Sequence, residues 1–423
     1  MGDGQVQTRR VVVTGIGPVT TIGIGREGLW AGVMRGASAV RRITRFDPSA
    51  FKCQIGAEVN DFDPQDWVTD GRRLRRMDRF SLFAVCASRL ALDDAQLDLT
   101  DPACPYNRDE MGVYIGTALG GIAYAEEQHT NFVQEGLKGV NPMLALSIFG
   151  GAASCNVAIE LGVTGPNIAN ANSCASGAIA LGEAFRLIKQ GGAKAMLAGG
   201  IEAPLAPLIF GSFTLIKALS TSNETPELAC RPFDRYRDGF VMAEGGAMLL
   251  LEEYESALRR GAHIYGEILG YGTSNDAHHM AAPLATGEQA ARAMQMALYE
   301  ARLGLEQVDY INAHASSTPL NDKTETLAIK QVFGDLAYNI PISGTKGMHA
   351  HALGATGAIE AAICNLIFEN NYLPPTVNLR DPDPDCDLNY IKGEGVLQRP
   401  QYILSNSFGF GGINAALVLG RVN

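Results

Sequence analysis

The chain has 423 residues, 46% hydrophobic and 19% charged, enough to bury a large core in one or more globular domains. Its formal net charge of −11 speaks against nucleic-acid binding, which rests on phosphate neutralisation by Lys and Arg. Eight scattered cysteines, without a CxxC pair or a metal-like His/Cys spacing, match a reducing compartment, and 48 glycines without collagen periodicity point to many tight turns.

The N-terminus, MGDGQVQTRRVVVTG, lacks the apolar core of a signal peptide, and no apolar run reaches about 18 residues. A cytoplasmic protein without membrane spans is the expectation. RRVVVTGIG reads as the first strand. Behind it Gly15 and Gly17 form only part of a dinucleotide fingerprint, because Thr20 replaces the third glycine, Pro18 stands in the loop and no acidic residue follows at ribose distance. The run GRRLRRMDR then places Arg72, Arg73, Arg75, Arg76 and Arg79 close together, for which a solvated helix face is the plain reading. FSLFAVCASRLALDDAQL is helical, and MGVYIGTALGG is a strand ending in small residues.

NIANANSCASGAIALGEAFRLIKQGG, Asn167 to Gly192, surrounds Cys174 with small and polar residues. From there Ala178, Ile179, Leu181, Phe185 and Ile188 recur at helical spacing until Gly191 and Gly192 stop the run, so Cys174 stands at a helix start. The unsatisfied N–H groups and dipole of a helix start favour an anion, which lowers a thiol's pKa toward the thiolate. Free cysteine is equally among the most buried residue types. On this stretch alone a reactive thiol and a packing residue stand level.

AKAMLAGGIEA and GGAMLLLEEY are further strands. Near ALRRGAHIYGE a charged helix gives way to a new strand-rich start, dividing the chain into residues 1–262 and 263–423. GEQAARAMQMALYEARLG is helical, VDYINAHASST breaks off at His314, ISGTKGMHAHALGATGAIEAA places Lys346 shortly before His351, and QYILSNSFGFGG closes the series. Alternating strands and helices, with strands breaking off into Gly, Ser, Asn or His, define an α/β protein with its ligand site at strand ends. The halves match in layout, without an evident residue-level repeat. Cys174, His314, His351, Lys346 and Glu325 together supply the nucleophile, hydrogen-bond donors and supporting charges of acyl transfer.

NSCASGA, NAHASSTPLND, TKGMHAHALGATG and SNSFGFGGINAALV, in this order, resemble the elongating β-ketoacyl-ACP synthases, type II in particular, and the resemblance runs along essentially the whole chain. It implies the thiolase-like fold, a five-layer αβαβα arrangement of two related halves, as a homodimer or paired with a related chain-length subunit. It further implies Cys174 as nucleophile in the first half, and His314 and His351 as paired histidines in the second. Lys346 and Glu325 would support them, Phe410 would be the gate, and the Cys174 and Phe410 amides the oxyanion hole. Leu119, Phe213, Ser316, Thr318, Phe408 and Gly409 are the implied substrate-binding positions.

The implied reaction is the decarboxylating Claisen condensation of malonyl-ACP with an acyl group held on Cys174, lengthening a fatty-acid or polyketide chain by two carbons with no metal or organic cofactor. The acyl carrier protein would dock on Arg72, Arg73, Arg75, Arg76, Lys138 and Lys217. The chain departs from the family at Ala315, where glycine is common, at Ala281, where threonine is frequent, and in the GMHAH run before His351. A degradative thiolase would carry a second cysteine in a C-terminal Cys-x-Gly turn, where this chain reads SFGFGGINA, and a non-catalytic chain-length subunit would lack Cys174.

Overall fold

A computed structural model describes residues 9–68 and 70–422. Its first set of strands is β1 (Val11–Thr20), β2 (Met111–Gly116), β3 (Asn167–Asn170), β4 (Ala195–Glu202) and β5 (Gly245–Glu253). The second set is β6 (Gly266–Asn275), β7 (Tyr310–Asn312), β8 (Ile342–Ser343), β9 (Tyr402–Gly409) and β10 (Ile413–Gly420). The strand orders are β1-β5-β4-β2-β3 and β6-β10-β9-β7-β8, the same topology twice. In each set the first and last strands pair antiparallel, the last lies antiparallel to the fourth, and the fourth, second and third run parallel. A short contact between β1 and β6, at Val12↔Glu267 and Val13↔Gly266, joins the sets.

Parallel neighbours need crossover helices, and these supply the remaining layers. They are α1 (Arg79–Asp94), α2 (Ala152–Leu161), α3 (Ser176–Lys189), α4 (Glu288–Ala301), α5 (Pro319–Phe333) and α6 (Thr356–Asn370). Side chains alternate across a strand, so each buried strand feeds two cores. In β4, Met196 and Ala198 join the central core while Ala195 and Leu197 join the outer core under α1 and α2. In β10, Ala415 and Leu417 face the centre while Ala416 and Val418 face the outer core under α4 and α5. α3 and α6 fill the central layer, and every residue of α6 from Thr356 to Phe368 is buried, as a helix enclosed by two sheets requires. The expected five-layer αβαβα arrangement is what these residues build.

Close backbone approach explains two glycine pairs. A Cβ on Gly15 would lie 2.0 Å from the Ala91 oxygen and one on Gly17 1.9 Å from the Ala87 oxygen, so the partial fingerprint serves the packing of α1 on β1. A Cβ on Gly177 would lie 3.0 Å from the Ala358 nitrogen and one on Gly357 2.8 Å from the Ala178 nitrogen, so α3 and α6 meet at their N-termini. This crossing exposes a repeat that the sequence reading misses. Ser173-Cys174-Ala175-Ser176-Gly177-Ala178-Ile179 matches Leu353-Gly354-Ala355-Thr356-Gly357-Ala358-Ile359, and each run opens on a left-handed residue, Ser173 at φ 53° and Leu353 at φ 43°, in a 3-10 turn.

Candidate active site

β3 ends at Asn170, a 3-10 turn spans Ser173–Ala175, and α3 follows, which puts Cys174 at a helix start as the pattern predicts. Ser176 braces the turn: its hydroxyl accepts from the Asn172 N–H at 2.7 Å and lies 2.7 Å from the Ser173 oxygen and 2.8 Å from the Thr117 oxygen. Cys174 is 4% exposed. Burial pushes its thiol up to about 11, although the Ser173 hydroxyl, the Lys346 charge and the Phe410 N–H all favour the thiolate. The lowering expected at a helix start gives way to a rise: desolvation outweighs the Ser173, Lys346 and Phe410 contributions.

Phe410 lies in the turn between β9 and β10. A Cβ on Gly409 would lie 3.0 Å from the Cys174 nitrogen, so the turn rests directly on the cysteine backbone. Among the described residues neither the Cys174 nor the Phe410 amide donates to a protein oxygen. Two vacant amides beside a thiol are what a developing oxyanion needs. The Phe410 ring stacks on Phe213, with centroids 6.1 Å apart, and Phe213 and Phe410 both pack on Phe240, which meets the His351 ring edge-on at 5.2 Å.

His314 stands two residues beyond β7, and His351 is pinned to the first half by its N–H to the Val241 oxygen at 2.8 Å. The two rings are 5.4 Å apart and nearly perpendicular. Burial first, then the Lys346 charge and a neighbouring histidine, hold both well below the usual imidazole range, so both are neutral. His351 Nδ1 is 2.9 Å from Thr356 Oγ1, whereas His314 Nδ1 is buried without a hydrogen-bond partner among the described residues. Their neighbour His349 shares a hydrogen bond with Thr345 at 3.1 Å and is held down to about 3 by burial.

Glu325 acts on backbone. It accepts from the His314 and Ala315 N–H groups at 2.7 and 2.8 Å and from Asn406 Nδ2 at 3.1 Å, and burial raises it to about 7. Lys346 Nζ donates to the His314 carbonyl and, at 2.6 Å, to Glu360, all in the interior. Ala315 is in the left-handed region at φ 46° and fully buried, with its methyl against Gly344, so this departure from glycine does not narrow the cavity.

A cavity of about 290 Å³ brings Cys174, His314, His351, Phe408, Gly409 and Phe410 together. Ser316 and Thr318 also line it, with their hydroxyls 2.9 Å apart, and Lys217 and Ala281 reach it as well. Leu119 and Phe213 stand outside this lining: Leu119 packs on the central core after β2, and Phe213 lies behind Phe410. Lys138, Arg72, Arg73, Arg75 and Arg76 also lie away from it and are exposed, whereas Arg79 is half-buried and donates to Glu244 at 2.8 Å. Arg73 pairs with Glu160 at 2.6 Å, whereas Arg72, Arg75 and Arg76 have no carboxylate partner among the described residues. Thr356, whose hydroxyl meets the His351 ring, and Glu202, buried at the end of β4 with Gly354 and Thr117 as donors, lie behind the cavity lining and are missed by the sequence reading; the one signal for Glu202 is an acid closing the apolar strand AMLAGGIE. Among the described residues no helix is long and apolar enough to cross a membrane.

The chain belongs to the β-ketoacyl synthase family: the profile of the beta-ketoacyl synthase N-terminal domain matches residues 8–257 and that of the C-terminal domain residues 265–380. It is 47% identical over 412 residues to 3-oxoacyl-(acyl-carrier-protein) synthase 2 of Synechocystis sp., covering 97% of this chain and 98% of the relative. Identity to the protein of the same name from Coxiella burnetii is 42% over 417 residues, covering 99% and 100%. Among solved structures, a type II polyketide ketosynthase in complex with its acyl-carrier protein matches with TM-score 0.90 and 38% identity, covering 99% of this chain and 100% of that one. The ishigamide ketosynthase/chain length factor matches with TM-score 0.91 and 36% identity, covering 98% and 100%. The fold is thus that of the thiolase-like ketosynthases, as expected.

Proposed function

We propose that the chain condenses malonyl-ACP with an acyl group held as a thioester on Cys174, losing CO2 and lengthening a fatty-acid or polyketide chain by two carbons. One observation carries this reading: a single cavity holds a buried thiol, two vacant amides and two neutral imidazoles 5.4 Å apart. The Cys174 sulfur attacks the acyl-ACP carbonyl, an S–C bond forms, and the oxyanion develops against the Cys174 and Phe410 amides. The carrier's sulfur leaves and takes up the proton that the Cys174 thiol releases. Malonyl-ACP then enters, its carboxylate departs as CO2, and the electron pair passes into an enolate whose oxygen accepts hydrogen bonds from the two histidines. The enolate carbon attacks the acyl carbonyl, a C–C bond forms, and the Cys174 sulfur is released and reprotonated.

Neutral imidazoles suit this step because each keeps one N–H to donate, and Lys346 and Glu325 hold the His314 backbone in place. Phe410 is the gate, backed by Phe213, while Ser316 and Thr318 offer hydroxyls to the carrier's arm and Leu119 bounds the acyl end. The acyl carrier protein docks on Arg72, Arg73, Arg75 and Arg76 with Lys138 and Lys217. A second copy of this chain, or a related chain-length subunit, covers Val133, Leu137 and Leu146, which are 69%, 81% and 61% exposed. The higher identity to synthase 2 relatives than to polyketide ketosynthases favours fatty-acid elongation.

Intact mass after incubation with a panel of acyl-ACPs tests the reading. One acyl adduct is expected on the parent protein and none on Cys174→Ala; an adduct persisting on the variant rejects this nucleophile. His314→Ala and His351→Ala should each retain some acylation but release CO2 from malonyl-ACP about 10²-fold more slowly. Parent-rate CO2 release by both would overturn the paired-histidine account.

A further inference from the structure

β2 and β7 hold the same place in the two strand sets, and Gly116 pairs with Gly200 as Asn312 pairs with Ser405. Counting onward from these pairs, Ala118 and Leu119 correspond to His314 and Ala315. In both loops one buried carboxylate accepts from the two consecutive amides. Glu325 does so in the second half; in the first, Glu202 accepts from the Ala118 and Leu119 N–H groups at 2.7 and 3.1 Å. Two further donors converge on Glu202, Thr117 Oγ1 at 3.0 Å and the Gly354 N–H at 3.1 Å. Glu202 is fully buried, so these donors replace all of its water.

The Gly354 contact crosses between halves. Gly354 is the counterpart of Cys174 in the repeat, so the amide that stays vacant at Cys174 is permanently engaged at Gly354. It lies between His351 and Thr356, the residue whose hydroxyl meets the His351 ring. Thr117, on the other side of the carboxylate, presents its carbonyl to Ser176, the brace of the cysteine turn. One carboxylate therefore ties together the Leu119 loop, the support of Cys174 and the support of His351.

We propose that Glu202 is a positioning residue of the condensation site, the first-half counterpart of Glu325, which sets the Leu119 loop and the His351–Thr356 turn in register with Cys174 without touching substrate. This rests on the function proposed above. Its substitution should therefore change how well the site fits different acyl chains and how fast it decarboxylates, beyond any change in folded fraction.

Glu202→Gln keeps the size of the side chain but turns one acceptor into a donor aimed at N–H groups. The folded variant should release CO2 from malonyl-ACP about tenfold more slowly at little-changed KM, and its ratio of dodecanoyl to butyryl transfer onto Cys174 should shift about fivefold. Thr117→Val, which removes one donor from the same carboxylate, should shift both in the same direction by less. It decides the matter if Glu202→Gln does not fold. A parent protein that takes no acyl group on Cys174 overturns the functional reading and this inference with it. A parent that acylates beside folded variants with unchanged kcat and chain-length ratio overturns this inference alone.

Discussion

A single methyl group at Gly409 tests the tightest contact of the site. In Gly409→Ala the new Cβ would lie 3.0 Å from the Cys174 nitrogen, 3.2 Å from Ser173 Cβ and 3.4 Å from the Ala175 nitrogen. The β9–β10 turn and the cysteine turn must then part by a few tenths of an ångström. Gly409 is not in the left-handed region, so alanine adds no torsional strain there. Phe410 moves with its turn, and the two vacant amides separate. Removing one oxyanion donor outright costs about 10²–10³ in rate, and a misplacement near 1 Å about 10². A smaller offset should slow acylation about tenfold, a rise of about 1.4 kcal/mol in the barrier. The assay is the time course of acyl-Cys174 by intact mass with acyl-ACP, with thermal unfolding of the same samples to confirm the fold. A folded Gly409→Ala protein that acylates at the parent rate would refute the placement of the Phe410 amide in the oxyanion site.

Reversing charge at Arg72 and Arg76, which have no carboxylate partner of their own among the described residues, should raise KM for acyl-ACP about tenfold at low salt and less at high salt. A small carrier-free thioester should be unaffected, and an equal KM for acyl-ACP at low salt would return the run to a solvated face. A third expectation concerns pH. Glu202, Glu325 and Glu360 are raised by burial from 4.5 to about 7, so each favours folding below 4.5 and loses that contribution as pH rises through 7. His314, His349 and His351 are lowered from 6.5, so their contribution is present above 6.5 and lost as pH falls. Between those limits the contributions of these six groups oppose one another, three protons held by the folded carboxyls against three bound by the unfolded histidines. His349→Leu removes one proton that only the unfolded chain binds in this window, so its stability should fall more steeply with rising pH than the parent's, by about 1.4 kcal/mol per unit in thermal unfolding; a profile parallel to the parent's would refute the lowered His349.

How much of this was legible in the residues depends on the range of the interaction. The helix after Cys174 is a local pattern, and Ala178, Ile179, Leu181, Phe185 and Ile188 are all buried as their spacing requires. The ionisation of Cys174 is not local: its desolvation comes from segments far along the chain, such as the turn at Gly409 and Phe410, which spacing near residue 174 does not report. β7 and β8 are only three and two residues long, so periodicity does not mark them; the abrupt ends of the apolar runs grouped His314, His351 and Lys346, and the family motifs gave the two histidines their paired role. The repeat at Cys174 and Gly354 rests on small, common residues, and its meaning lies in the left-handed turn and the glycine crossing. Glu202 reads as a strand leaving the core toward water, whereas that strand end runs between the two halves.

The desolvated thiol has a consequence for exposure to oxidants. Peroxide and alkylating electrophiles attack thiolate, and a thiol held at about 11 has a thiolate fraction on the order of one in ten thousand at neutral pH. Cys174, with 4% of its surface open, should therefore be slow to enter the sulfenic, sulfinic and sulfonic series. Full nucleophilicity would arise only when a thioester carbonyl sits against the two amides and gives the leaving proton a destination. On the proposed function, Cys174 would be stored in its inert form between carrier visits, which would spare the protein the irreversible damage to which low-pKa catalytic cysteines are prone.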